Sequence, residues 1–182
     1  IFFNLIPATI GGAVRQNAGT GDGEEIKDVI DSCVLYDVYD NQTKEFQDDE
    51  LELSYRNSII KKNPNRYVVL SAKFKLGELT KDIKKIDIEM KNRVKEKLAR
   101  EPKGYCFGST FMNSDKYAWE YIDAIQGDLN YVRNAYFSKK HKNWIINNNA
   151  SGDEIFKLIK DAQKLVKEKF NIQLYEEVDI IV

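Results

Sequence analysis

The chain has 182 residues, a formal net charge of −1, and 42% apolar and 31% charged residues. That is enough chain for one large or two small domains with buried cores. The near-neutral charge gives no reason to expect nucleic acid or an anionic membrane as a partner, and no apolar run approaches the ~18 residues of a membrane span.

The two cysteines, Cys33 and Cys106, form no CxxC pair and suggest no disulfide framework, which fits a reducing cytoplasm. There is no initiator Met, and Ile1-Phe2-Phe3 reads like the middle of a buried segment, so upstream sequence is expected to be absent. Residues 1–14 are apolar but interrupted by Asn4, Pro7, Gly11 and Gly12, and no basic segment precedes them, so they do not read as a signal peptide. The double glycine runs on into Gln16-Asn17-Ala18-Gly19-Thr20-Gly21-Asp22-Gly23. Glycines and small hydroxyls at this density expose backbone N–H groups that suit a phosphate. The same composition also suits a flexible surface loop. The spacing of Gly19, Gly21 and Gly23 is not a dinucleotide fingerprint.

Residues 29–39 are rich in Val, Ile, Leu and Tyr and predict a strand; Asp40-Asn41-Gln42 turns it, and 43–46 return as a hairpin. Arg56 follows among an aromatic and small polar residues, where a planar guanidinium could clamp a carboxylate or simply lie in a surface loop. Asn63-Pro64-Asn65 predicts a turn and 67–76 a strand. Residues 80–100 predict a helix capped by Thr80, with Ile83, Ile86, Met90, Val94 and Leu98 on one stripe. Its Lys residues, interleaved with Asp and Glu, predict a solvated face. Glu101-Pro102-Lys103-Gly104 ends it and marks a domain boundary, giving domains 1–100 and 101–182.

Phe107-Gly108-Ser109-Thr110-Phe111-Met112-Asn113 is the stretch where chemistry is expected. Glycine lets backbone approach a ligand, the serine hydroxyl can give or take a proton, and Asn113 can hold a polar group. A structural Gly-Ser turn before a strand is the competing reading. Residues 117–125 predict a short helix, 126–133 an irregular segment, and 135–138 and 144–147 strand pieces. Between the last two lies His141, the one histidine of the sequence, expected to be exposed. It has no partners from which to build a metal site, and none is expected. Ser151-Gly152-Asp153-Glu154 is a capping box opening a helix that Asn171 closes. A last strand is expected to alternate Leu174, Val178, Ile180 and Val182 on one face, leaving Glu177 on the other with Tyr175 and Asp179.

Taken together, these stretches resemble the UDP-N-acetylenolpyruvoylglucosamine reductase (UDP-N-acetylmuramate dehydrogenase) family. Ile6-Pro7-x-Thr9-x-Gly11-Gly12-Ala13 followed by Asn17-Ala18-Gly19 is similar to its flavin loop. Tyr55-Arg56-x-Ser58 resembles its Tyr-Arg-x-Ser motif and Gly108-Ser109-x-Phe111-x-Asn113 its catalytic serine motif. Ser138-x-x-His141 with Ile146-Asn147 resembles the next motif, and Leu174-x-x-Glu177-Val178 the terminal Glu strand. The ordered set covers nearly the whole chain, and the short connection from Arg56 to Ser109 looks like the compact, type II subgroup.

The resemblance implies an α+β fold. Part of an FAD-binding domain with a linker helix would be followed by a substrate-binding domain holding a mixed sheet and covering helices. It implies that NADPH reduces FAD and that the flavin passes hydride to the enolpyruvyl group of a nucleotide-sugar in peptidoglycan precursor synthesis. Ser109 would be the general acid, and Arg56 and Glu177 would stabilise the enolate-like intermediate. Pro7, Thr9, Gly11, Gly12, Asn17 and Gly19 would hold the cofactor; Tyr55, Asn113 and His141 would orient substrate. The chain departs from the pattern at Ala8, Ser114 and Glu176, in the reduced glycines of 126–135, and in having no counterpart of the family's N-terminal flavin subdomain. The alternative is therefore a non-catalytic fragment or binding module of this fold that does not hold FAD alone.

Overall fold

The expected hairpin is the centre of the first half of the chain. The computed structural model describes residues 6–20, 23–77, 82–129 and 134–181. β1 (Ile30–Asp37) and β2 (Gln42–Gln47) pair antiparallel, with Cys33 opposite Phe46 and Tyr36 opposite Thr43. Asn41 closes the turn at φ 52°, a left-handed conformation that Asn tolerates better than most residues. β3 (Tyr67–Phe74) adds to the other edge of β1, giving the order β2-β1-β3. Ile30, Cys33 and Leu35 of β1 are fully buried, and with Val14, Ile26 and Leu51 they make this region's own core.

The segment expected as a glycine-rich loop opens as a helix. α1 (Ile10–Gln16) begins where the Thr9 hydroxyl accepts the Gly12 N–H at 3.1 Å, and ends at Asn17, which takes φ 44°. α1 packs on β3: a methyl on Gly11 would lie 3.3 Å from Val69 Cβ, so a small residue keeps the approach close. α2 (Ile59–Lys62) is a single turn capped by Ser58. Residues 1–5 and Gly21-Asp22 lie outside the described residues.

α3 (Ile83–Arg100) is the expected long helix; Thr80, its expected cap, lies outside the described residues. Its apolar stripe builds no core. No residue of α3 is buried, and Ile83 and Leu98 are 77% and 59% exposed. Pairs such as Asp87–Lys91 and Glu89–Arg93, one helical turn apart, support it by a few tenths of a kcal/mol each. The chain divides into two compact units, Ile1–Val94 and Lys95–Val182.

In the second unit α4 (Ala118–Ile125) and α5 (Gly152–Phe170) pack on each other, and α5 packs on a ribbon of β4 (Ala135–Phe137) and β5 (Ile145–Asn147). The capping box forms as read: Ser151 Oγ accepts the Glu154 N–H and Glu154 accepts the Ser151 N–H, a pairing worth about 1 kcal/mol. Asn171 closes α5 at φ 56°. Phe111, Phe137, Ile122, Ile145 and Leu158 are at most 1% exposed and form this unit's core.

Two expectations are corrected here. The sheet of this unit is not mixed: among the described residues it is a two-stranded antiparallel ribbon extended by isolated antiparallel bridges. The terminal strand is not a strand either. It contributes one bridge, Phe111 to Glu176, because its backbone meets the serine stretch only around Tyr175 and Glu177. Leu174 is buried, whereas Val178 is half-buried and Ile180 is 38% exposed, so the expected alternating face is not formed. Val182 lies outside the described residues.

Candidate active site

In the first unit three of the predicted residues, Asn17, Gly19 and Arg56, meet in a knot at the C-terminal end of α1. Asn17 is fully buried. Its Nδ2 donates to Glu25 Oε2 at 3.0 Å and to the Ser54 carbonyl at 2.8 Å, and its Oδ1 accepts the Lys27 N–H at 3.0 Å. Arg56 is not the surface arginine of the alternative reading. It is 9% exposed and sits at φ 52° in the tight turn closed by Ser54 and Asn57. Its guanidinium donates to Glu25 Oε1 and the Asn17 carbonyl at 3.4 Å and to the Gly19 carbonyl at 3.1 Å, with Tyr55 beneath it at 5.0 Å. Glu25 therefore holds Arg56 on one side and Lys27, at 2.8 Å, on the other.

Gly19 is needed for space. A Cβ there would lie 2.6 Å from the Glu24 carbonyl and 2.9 Å from Glu25 Cγ. Pro7, Thr9 and Gly12 lie exposed at the opposite end of α1. The six predicted cofactor residues thus split into Pro7, Thr9, Gly11 and Gly12 around the helix start and, in the knot, the buried Asn17 with the half-buried Gly19. The Thr20 hydroxyl, next along the chain, is buried with no hydrogen-bond partner. Glu25 was missed by sequence reasoning, since an acidic residue after a glycine run looks like surface.

In the second unit the serine stretch runs between two other segments. On one side Ser109 bridges Trp144, and the Asn143 carbonyl accepts the Thr110 N–H at 2.7 Å. On the other, Phe111 bridges Glu176; the Glu177 N–H donates to the Thr110 carbonyl and the Met112 N–H to the Tyr175 carbonyl, both at 2.9 Å. Gly108 enters this junction at φ 84° with open space around its Cβ position, so its requirement is conformational.

Alternation assigns the faces. Ile145 points into the core, so Trp144, and Ser109 across the bridge, stand on the face turned away from it. Glu176 pairs with Lys160 of α5 at 2.6 Å. The bend at Thr110 carries Phe111 back into the core. The backbone bond from Glu177 to Thr110 sets Glu177 beside the serine stretch.

The other two predicted residues of this unit have local duties. Asn113 is exposed, and its Oδ1 accepts the Ala118 N–H at 3.0 Å at the start of α4. His141, expected to be exposed, is half-buried, its ring 5.4 Å from that of Trp144. Burial lowers its pKa below the ordinary 6.5, and the positive charge of Arg100 acts in the same direction. Three polar atoms of this junction are buried without a partner: Thr110 Oγ1, His141 Nδ1 and Trp144 Nε1. Sequence reasoning missed Asn143 and Trp144; a carboxamide beside a Trp at the head of a strand was the available signal. Among the described residues no group of three or more His, Cys, Asp or Glu could hold a metal ion.

Residues 99–181 match the family profile described as UDP-N-acetylenolpyruvoylglucosamine reductase, C-terminal domain. Along nearly its whole length the chain is similar to UDP-N-acetylenolpyruvoylglucosamine reductases. It is 40% identical over 185 aligned residues to the reductase of Clostridium novyi, covering 99% of this chain and 58% of the relative. It is 36% identical to that of Oceanobacillus iheyensis, covering 97% of this chain and 56% of the relative. The chain thus spans somewhat under three-fifths of the length of these relatives. The crystal structure of the reductase from Thermus caldophilus superposes with a TM-score of 0.78 at 26% identity, covering 98% of this chain and 62% of that one. Within the family profile lie Ser109, Asn113, His141 and Glu177; Arg56 and the α1 segment lie before it.

Proposed function

We propose that this chain carries the substrate-reducing chemistry of an FAD-dependent, NADPH-using oxidoreductase that converts UDP-N-acetylglucosamine enolpyruvate to UDP-N-acetylmuramate in the cytoplasm. The observation that most supports this reading is the backbone bond from Glu177 to the Thr110 carbonyl, which joins the neighbour of a candidate acid to a candidate carboxylate. The residues around α1 fit a flavin in kind. Thr20 keeps a buried hydroxyl without a partner, and Gly23 takes φ 92° with open space at its Cβ position. Pro7, Thr9, Gly11, Gly12, Asn17 and Gly19 would hold it. Asn17 would act through the shape of the turn, because its carboxamide is already engaged.

FAD, reduced by NADPH, would supply the hydride for the enolpyruvyl double bond. The remaining chemistry belongs to the chain. Addition of hydride at one alkene carbon leaves negative charge on the adjacent carbon, delocalised into the carboxylate. A fixed guanidinium, Arg56, stabilises that charge; a well-placed electrostatic partner of this kind is worth about 3 kcal/mol. Ser109 Oγ–H donates its proton to the adjacent carbon and completes the saturated lactyl group. A serine is a weak acid, and it protonates only a strongly basic carbon shielded from water. Glu177, whose backbone bonds the Thr110 carbonyl beside Ser109, joins Arg56 in stabilising the enolate-like intermediate. Tyr55, Asn113 and His141 orient the nucleotide-sugar.

A visible absorbance spectrum tests this. FAD-loaded protein should be yellow, bleach with NADPH under argon, and recover its colour on adding the enolpyruvyl nucleotide-sugar. Protein that stays colourless after incubation with FAD would favour a binding module that does not hold the cofactor alone.

A further inference from the structure

We propose that Asn143 is a positioning residue for Ser109, a role that rests on the reductase reading above. The stretch from Ser109 to Phe111 is not part of a regular ladder, yet its peptide groups are bonded in series by one residue. The Asn143 carbonyl accepts the Thr110 N–H at 2.7 Å. Its Oδ1 accepts the Phe111 N–H at 3.0 Å, and its Nδ2 donates to the Phe111 carbonyl at 2.8 Å. A single carboxamide thus makes both bonds that a neighbouring strand would make to one residue. The side chain is buried, 3% exposed, so water does not compete for these groups.

The two parallel bonds fix the direction of the Phe111 peptide as well as its place. Trp144, the next residue, bridges Ser109 itself. Residues 143 and 144 therefore align the entire stretch on which the Ser109 hydroxyl stands, without Asn143 acting on the reacting atoms. The fold does not depend on this grip alone. The Phe111 ring is fully buried and stacks on Phe137 at 6.3 Å, and Glu177 still bonds Thr110 from the other side. Loss of the carboxamide should loosen the serine stretch while the core keeps its anchor. A displacement of about 1 Å at a reacting group can cost about 100-fold in rate.

Two measurements test this. In the wild-type chain the Phe111 amide should exchange with solvent as slowly as the core amides of α5. Exchange at the rate of the exposed 113–116 loop would overturn the proposal. In the FAD-loaded protein, Asn143→Ala should leave flavin reduction by NADPH within about two-fold and slow reoxidation by the enolpyruvyl substrate about 100-fold. Substrate binding, followed by Trp144 fluorescence in a Trp119→Phe background, should keep its midpoint within a few-fold. No change in reoxidation, or equal slowing of both half-reactions, would overturn it. Should the alanine variant not fold, Asn143→Asp keeps the acceptor for the Phe111 N–H, drops the donor, and is read by the same split. Wild-type protein that takes up FAD but is not reoxidised by this substrate would refute the reductase reading itself, and the proposal with it.

Discussion

The knot around Arg56 and the junction around Ser109 satisfy their polar groups in opposite ways. In the knot, Asn17, Glu25 and Arg56 direct their side chains at one another and at the carbonyls of Asn17, Gly19 and Ser54. In the junction the backbone is pinned from both sides, while Thr110, His141 and Trp144 each keep a buried polar atom without a partner. The first arrangement holds a turn of defined shape. The second presents side chains from a fixed backbone. A ligand recognised by backbone and shape suits the first, and a proton transfer suits the second.

The largest expected effect is on the knot. Arg56→Ala would leave Glu25 buried with only Lys27 to balance its charge and the Asn17 carboxamide beside it, and would remove the donors to two carbonyls. Losing one partner of a buried pair costs about 3 kcal/mol. Exchange of the Leu35 amide, in the core of that unit, should report it as faster opening; unchanged exchange would mean that the guanidinium does not hold the turn.

The glycines sharpen the contrast. Gly19→Ala puts a methyl 2.6 Å from a carbonyl and forces backbone to move, a cost of about 2 kcal/mol. Gly108→Ala meets no atom, and pays only for a side chain at φ 84°, about 1 kcal/mol. Urea unfolding of the two variants should rank them in that order. The reverse rank would mean that the approach at Gly19 relaxes easily.

A smaller effect follows pH. The folded-state pKa of His141 is depressed by burial, so the unfolded chain binds the proton first as pH falls. Its contribution to stability is fully present above 6.5 and is lost on going down through the window just below that value. His141→Gln should flatten this part of the stability profile, measured as thermal midpoint against pH, and an identical slope in both proteins would exclude His141 as its source.

The elements with local signals were legible in the sequence. The hairpin of β1 and β2, the capped helix α5 and its Asn171 terminus are encoded by alternation, by Ser151 with Glu154, and by a residue that tolerates left-handed backbone. Where order comes from distant partners the sequence was silent. The double glycine looked like a loop because its helix is fixed by packing on β3, 55 or more residues later. The last segment looked like a strand because its apolar residues alternate, although only the stretch around Glu176 finds a partner. Arg56, Ser109 and Glu177 were visible as residue types. Glu25 and Asn143 were not, because their importance lies in what they bond far along the chain, the Arg56 guanidinium 31 positions away and the Phe111 peptide group 32 positions away.

The central claim is that Ser109 supplies a proton and nothing else. Stopped-flow absorbance of FAD-loaded Ser109→Ala, each half-reaction followed separately, tests it most directly. The account predicts flavin reduction by NADPH close to the wild-type rate and reoxidation by the enolpyruvyl substrate slowed by orders of magnitude, about 10²-fold or more. Reoxidation at the wild-type rate, or both half-reactions slowed alike, would contradict it.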